Sequence, residues 1–199
     1  MLDAGCGEGY YLGHVRERLA AEAGLAGQPP DCTGFDVSRD AVRLAAKRYG
    51  DCFFAVADVW ASLPVADASV AVLLNIFAPR NPNDFGRMVA PRGRLIVAIP
   101  GRDHLREVRQ RAPLLAIQDA KRERVAHDLA PWFALEMARP MVYEMALDGE
   151  ALADLVQMTP AARQVTPQAP QELAQWRQID ILLAHASFEV LLFRRLPPA

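Results

Sequence analysis

The chain opens on Met1-Leu2-Asp3-Ala4-Gly5-Cys6-Gly7-Glu8-Gly9-Tyr10-Tyr11, and this stretch constrains the fold more than any other. Three glycines alternate behind an acid and ahead of a helical pattern. Glycines so spaced let the backbone pass close to a ligand, and the helix that follows turns free N–H groups toward it. A strand remnant, a tight glycine loop and a helix form the beginning of an α/β unit with parallel strands. The loop departs from the dinucleotide fingerprint G-x-G-x-x-G, because Tyr10 stands where the third glycine would fall. It carries Asp3 two residues before the first glycine instead.

The rest of the chain fits that beginning. Tyr11, Val15 and Leu19 recur at helical spacing and predict a packed face. The next strand is expected over Cys32–Val37. Ser38 then reads as a helix N-cap, with Asp40 in the first turn, and Val42, Ala45, Ala46 and Tyr49 as the buried stripe. Phe53–Ala57 is a third strand. Val70–Phe77 is almost wholly apolar, as a central parallel strand covered on both faces requires. A short helix over Asn83–Val89, a turn at Pro91-Arg92-Gly93 and a strand over Arg94–Ile99 follow. Later come a long strand over Leu135–Leu147, a helix over Asp148–Met158 and a strand over Phe188–Phe193. The expected fold is α/β: a doubly wound, mostly parallel sheet with an antiparallel edge. One domain over residues 1–199 is expected, with a substrate-side excursion over about 148–186.

Composition narrows the function classes. Of 199 residues 52 % are hydrophobic and 23 % charged, with a net charge of −2, so the whole chain has no basic signature of a nucleic-acid binder. No apolar run reaches membrane-span length, and the first residues do not read as a signal peptide, so a cytoplasmic location and no membrane partner are expected. Cys6, Cys32 and Cys52 form no CxxC pair, which predicts free thiols and no metal site.

Two further acids fall at strand ends, where open α/β sheets bind ligands. Asp36 ends the second strand and suits the two hydroxyls of a ribose. Asp58 ends the third. The acidic-x-G-x-G-x-G loop resembles motif I of the class I S-adenosylmethionine-dependent methyltransferases. That resemblance implies the cofactor S-adenosylmethionine, held by Asp3, Gly5, Cys6, Gly7, Glu8, Gly9, Asp36, Val37, Asp58 and Asn75, with Asp58 accepting from the adenine amino group.

Longer stretches carry a closer resemblance. They are Leu2–Tyr11, Gly34–Ser38 with Ala45–Tyr49, Ile76–Pro79, Pro100–Leu105 and Leu155–Pro160. Together they resemble the bacterial 23S rRNA (guanine-N1)-methyltransferase family, from Leu2 to about Thr159. The resemblance implies methyl transfer to N1 of a guanine in a 23S rRNA hairpin and adds His104 as a cofactor contact. Phe77 or Trp132 would stack on the splayed base, and Phe77, Gln157 and Thr159 would bind the substrate. Asn75 stands where a relative carries Arg, which bears on target recognition. No residue is assigned as the base that removes the N1 proton. The run Arg102, Arg106, Arg109, Arg111, Lys121, Arg122 and Arg124 reads either as an RNA-phosphate contact or as a solvated face interleaved with acids.

The family carries an N-terminal zinc-binding module that this sequence does not contain, and Met1 sits where the family has Val. The expectation is a first strand truncated at its N-terminus, through a misplaced start, a genuine truncation or a divergent paralogue. A form extended upstream is then expected to be more stable. A small-molecule methyltransferase and a non-catalytic protein on the same fold remain alternatives, and a homodimer is left open.

Overall fold

The structure is a computed structural model that describes residues 1–23, 30–111, 121–157 and 174–197. The elements in chain order are β1 (Leu2–Ala4), α1 (Tyr10–Ala23), β2 (Thr33–Asp36), α2 (Arg39–Arg48), β3 (Phe53–Val56) and β4 (Val70–Ile76). They continue with α3 (Pro82–Met88), β5 (Val89–Pro100), α4 (Arg106–Arg111), α5 (Lys121–Leu129), β6 (Phe133–Leu147), α6 (Gly149–Gln157) and β7 (Leu182–Arg195). Among the described residues no helix is long and apolar enough to cross a membrane.

Seven strands make one sheet in the order β3-β2-β1-β4-β5-β7-β6. The pairs β1–β2, β1–β4, β2–β3 and β4–β5 are all parallel, and the late strands supply the antiparallel edge. The strand order reverses at β1, so loops on either side of it diverge and leave a crevice at the carboxyl ends. Register aligns those ends: Ala4 lies against Phe35, and Asp36 against Val56. This is the architecture expected from the sequence.

The chain divides into two compact units. The first holds Met1–Ile99, Arg122–Arg139 and Val190–Ala199, and the second holds Pro100–Lys121 and Pro140–Glu189. The first has its core around Leu73, Phe85, Met88, Leu95, Val97 and Phe193, all essentially inaccessible. Each such side chain contributes about 1.5–3 kcal/mol over leaving it in water. The second has a smaller core of Leu105, Val108, Leu152, Trp176, Leu182 and Ala184.

Local rules explain most elements. Ser38 caps α2 by accepting the Ala41 N–H at 3.3 Å, as its position predicts. Asn81 caps α3 in the same way, with Pro82 at the first helical position. The structure corrects several expectations. In α1 the face Tyr11–Leu19 is not packed: Tyr11 and Leu19 are exposed, and Leu12 goes into the core instead. Ala46 of α2 is exposed, while Val42, Ala45 and Tyr49 are buried. Ala71 of β4 faces solvent, so that strand is not covered along its whole length. Pro91-Arg92-Gly93 does not interrupt β5. The strand begins at Val89 and absorbs the irregularity as a bulge opposite Val70–Val72, with Arg92 at φ +64°. β7 starts six residues before the expected Phe188, at Leu182.

Candidate functional site

The glycine loop leaves β1 and is tied to β2 by its backbone. The N–H groups of Gly5 and Cys6 both donate to the Phe35 carbonyl, at 2.8 and 3.0 Å. The Gly7 N–H donates to Asp36 Oδ2 at 2.8 Å. Gly5 sits at φ +88°, and a Cβ there would collide with the Ala78 Cβ. That collision requires glycine twice over, for its backbone angle and for its contact. The loop is therefore held between the ends of β2 and β4.

Asp36 organises the loop as well as lying on it. Its second oxygen accepts the Ser38 N–H at 2.9 Å. A carboxylate has about four acceptor positions, so after these two bonds it can still take both hydroxyls of a diol. Asp58 is exposed past β3, with Oδ1 accepting the Trp60 N–H at 2.9 Å. Val37 and Trp60, 69 % and 67 % exposed, project apolar surface from the loops after β2 and β3.

Asp3 is the most unusual group. It is 1 % exposed, and neither carboxylate oxygen has a hydrogen-bond partner. Burial, and then the neighbouring Asp36 charge, push its pKa up to about 7. A buried carboxylate in native proteins is normally paired or hydrogen-bonded. This one is built for a partner that arrives from outside, and a cation fits it best. Cys6 beside it is no nucleophile: burial, followed by the charges of Asp3 and Asp36, pushes its thiol up to about 12.

Asn75, at the end of β4, is fully buried. Its Nδ2 donates to the Ala4 carbonyl at 3.0 Å and to the Pro79 carbonyl at 2.8 Å. It joins the end of β1 to the loop after β4, and its Oδ1 has no partner. That loop presents Phe77, 46 % exposed and at φ +53°, a backbone angle uncommon for an aromatic residue. The segment after Asp58 is pinned from α3. The buried Asp84 carboxylate accepts the Leu63 N–H at 2.9 Å, the Ser62 hydroxyl at 3.0 Å and the Arg87 Nε at 2.9 Å.

The structure thus brings Asp3, the Gly5–Gly9 loop, Asp36, Asn75 and Phe77 to neighbouring strand ends, with Glu8 exposed in the loop. His104 belongs to the second unit. The Ser187 N–H donates to its Nδ1 at 3.2 Å, so the neutral ring carries its proton on Nε2. Burial, and next the Arg109 charge, lower its pKa. His104 is a neutral donor and not a base. Gln157 ends α6, and Thr159 lies outside the described residues. Trp132 is not a stacking platform: it lies under the Arg195 guanidinium at 4.9 Å, packs on Gly86 and donates from Nε1 to Asn83 at 3.0 Å. In the basic run, Arg109 is spent on the carbonyls of Arg102 and His104. Among the described residues no group of His, Cys, Asp and Glu is arranged to hold a metal.

Sequence reasoning missed Arg80. It is half-buried after Phe77, and its Nε is enclosed with no acceptor. No periodicity or motif marks it.

The strand order and the loop at the reversal point define the fold of a class I methyltransferase. Solved structures agree. A geranyl diphosphate methyltransferase in complex with SAM superposes with a TM-score of 0.56 at 13 % identity, over 98 % of this chain and 77 % of that one. The [4+2]-cyclase SpnF gives 0.59 at 16 % identity, over 99 % and 75 %. The second shows that this fold alone does not fix the chemistry. No protein-family model matches the chain.

Sequence likeness is more specific. The chain is 38 % identical over 175 residues to the 23S rRNA (guanine(748)-N(1))-methyltransferase of Streptomyces fradiae, covering 88 % of this chain and 59 % of that protein. It is 33 % identical over 186 residues to a Bacillus subtilis (strain 168) protein, YxjB, with a provisional name of the same kind, covering 91 % and 62 %. The chain is a homologue, over most of its length, of the 23S rRNA (guanine-N1)-methyltransferases, and it spans about three-fifths of the length of these two relatives.

Proposed function

We propose that this chain binds S-adenosylmethionine at the carboxyl ends of β1, β2 and β3 and transfers its methyl group to N1 of a guanine in a 23S rRNA hairpin, in the cytoplasm. The observation that carries the cofactor half is the buried, unpartnered Asp3 carboxylate at the foot of a loop of three positive-φ glycines. The acceptor half rests on the likeness to relatives named for that reaction.

The residues divide the task by their chemistry. Asp3 offers an unshared negative charge to the ammonium of the amino-acid end. Asp36 keeps acceptor positions for the ribose hydroxyls while holding the Gly7 N–H in place. Asp58 accepts from the adenine amino group, and Val37 covers an apolar face. Gly5, Cys6, Gly7, Glu8 and Gly9 wrap the methionine part, and buried Asn75 fixes the two loops that border it. His104 presents an Nε2–H suited to a carboxylate. When bound, S-adenosylmethionine supplies an activated methyl group on a sulfonium. Phe77 offers a face for the base, while Gln157 and Thr159 read its edge. Positioning of N1 against the methyl carbon is the main catalytic demand.

The test is transfer of radiolabelled methyl groups from S-adenosylmethionine to 23S rRNA lacking the modification, followed by nucleoside analysis. Label in 1-methylguanosine is the expected result. Label that enters a small metabolite but never 1-methylguanosine overturns the assignment and favours a small-molecule acceptor.

A further inference from the structure

Guanine N1 is protonated near neutral pH, so the proposed reaction needs a way to remove that proton. Among the residues at these strand ends, none is placed as an evident base: Asp3 is enclosed, and Asn75 is an amide. The loop after β4 supplies a different solution.

Arg80 is half-buried in that loop. Its Nη2 donates to the Ala78 carbonyl at 3.3 Å, and its enclosed Nε donates to nothing. Among the described residues it forms no ion pair. Asp128 of α5 attracts it electrostatically without bridging to it, and burial lowers its pKa. Withdrawing a guanidinium from water is costly unless acceptors replace the solvent. Arg80 is only partly compensated, so it is suited to an acceptor brought by a ligand.

Its surroundings say which kind. Phe77, three residues earlier, is exposed at a strained backbone angle. Ala78 packs directly on Gly5 of the glycine loop. Asn75 fixes the Pro79 carbonyl, and Asn81 caps α3, so Arg80 is anchored on both sides. The loop therefore joins an aromatic face, an under-satisfied cation and the cofactor loop on one rigid support. A planar ligand with a strong acceptor fits this set. On a guanine, O6 is such an acceptor, and arginine is its usual partner.

We infer that Arg80 donates to O6 of the target guanine, stacked on Phe77, and so favours the base that has lost its N1 proton. This rests on the acceptor proposed above. Loss of the N1 proton to water leaves an electron pair shared between N1 and O6, and Arg80 faces that charge. The pair on N1 then forms the bond to the methyl carbon, and the carbon–sulfur bond breaks to leave a neutral thioether. One proton is released, the sulfonium charge is discharged, and no general base is required. Stabilisation of this kind, by a preorganised donor at a developing oxyanion, is worth about 10²–10³-fold in rate.

The experiment uses the whole chain, a 23S rRNA hairpin labelled with 15N at the target guanine, and the variants Arg80→Gln and Arg80→Lys. Titration of N1 by NMR without S-adenosylmethionine is expected to show a lower N1 pKa in the wild-type complex than in the free hairpin. In Arg80→Gln it returns to the free value. Single-turnover transfer by Arg80→Gln falls about 100-fold at pH 7 and distinctly less at pH 9, where the base ionises unaided. S-adenosylmethionine affinity stays the same. Arg80→Lys keeps the buried charge, falls between the two, and replaces Arg80→Gln as the test variant should that one not fold. An N1 pKa unmoved by the wild-type chain, or an equal loss of transfer at both pH values, overturns the inference alone. A wild-type chain that forms no 1-methylguanosine overturns the acceptor reading and the inference with it.

Discussion

The two ends of strands β1 to β4 differ sharply although the strands are the same. At the amino ends lies a cavity of about 340 Å³ lined by Leu2, Thr33, Phe35, Phe53, Val65 and Val70, among others. At the carboxyl ends stand a buried carboxylate without partners, a second carboxylate tied to the loop, positive-φ glycines and exposed aromatics. The amino-end cavity offers volume and ordinary apolar lining. The carboxyl end offers unsatisfied charge on rigid backbone. The lesson is that unmet electrostatic demand, rather than empty volume, marks the functional end of such a sheet.

The largest expected effect comes from Asp3. Its pKa is about 7 in the folded chain against an ordinary 3.8. Between those values the folded chain holds a proton that the unfolded chain has lost. Stability therefore falls as pH rises from 4 to 7, and the loss, about 4 kcal/mol in total, is complete above 7. Asp3→Asn removes this dependence. Thermal melts at pH 5 and pH 8 are expected to show wild type losing much more stability than the variant, so that Asp3→Asn gains most at pH 8. Parallel losses would mean that Asp3 ionises without strain, and the contrast between the two ends would lose its main support.

A matched pair of substitutions sharpens the comparison. Asp36→Ala at the carboxyl end should weaken S-adenosylmethionine binding by about 1.5–3 kcal/mol, the scale of a lost hydrogen bond to a charged group. Thr33→Val, on the same strand but lining the amino-end cavity, should change it by less than about 0.5 kcal/mol. Equal effects by calorimetry would show that the two ends are not distinct.

Much of this arrangement is legible in the sequence where the determinants are local. The glycine loop, the Ser38 cap and the acid at the end of β2 each follow from neighbours within a few residues. The parallel order follows from alternation of strands and helices. What is not legible depends on distant partners. In α1 the apolar residues at Tyr11 and Leu19 look packed, yet the helix turns Leu12 inward because Leu12 packs with Leu74 and Cys32. Pro91-Arg92-Gly93 looks like a turn, yet pairing with β4 carries the strand through it as a bulge. Trp132 looks like a platform for a base, and Arg195, sixty-three residues away, claims its face. Arg80 gives no signal at all, since its incomplete compensation exists only once α5 lies near it. The pKa of Asp3 is likewise set by enclosure, which spacing alone does not reveal.

The central claim is that the carboxyl ends of β1, β2 and β3 form an S-adenosylmethionine site. The direct measurement is calorimetric titration of the chain with S-adenosylmethionine and, separately, with NAD. The account predicts one-to-one binding of S-adenosylmethionine and none of NAD. Binding of NAD with no binding of S-adenosylmethionine would contradict it.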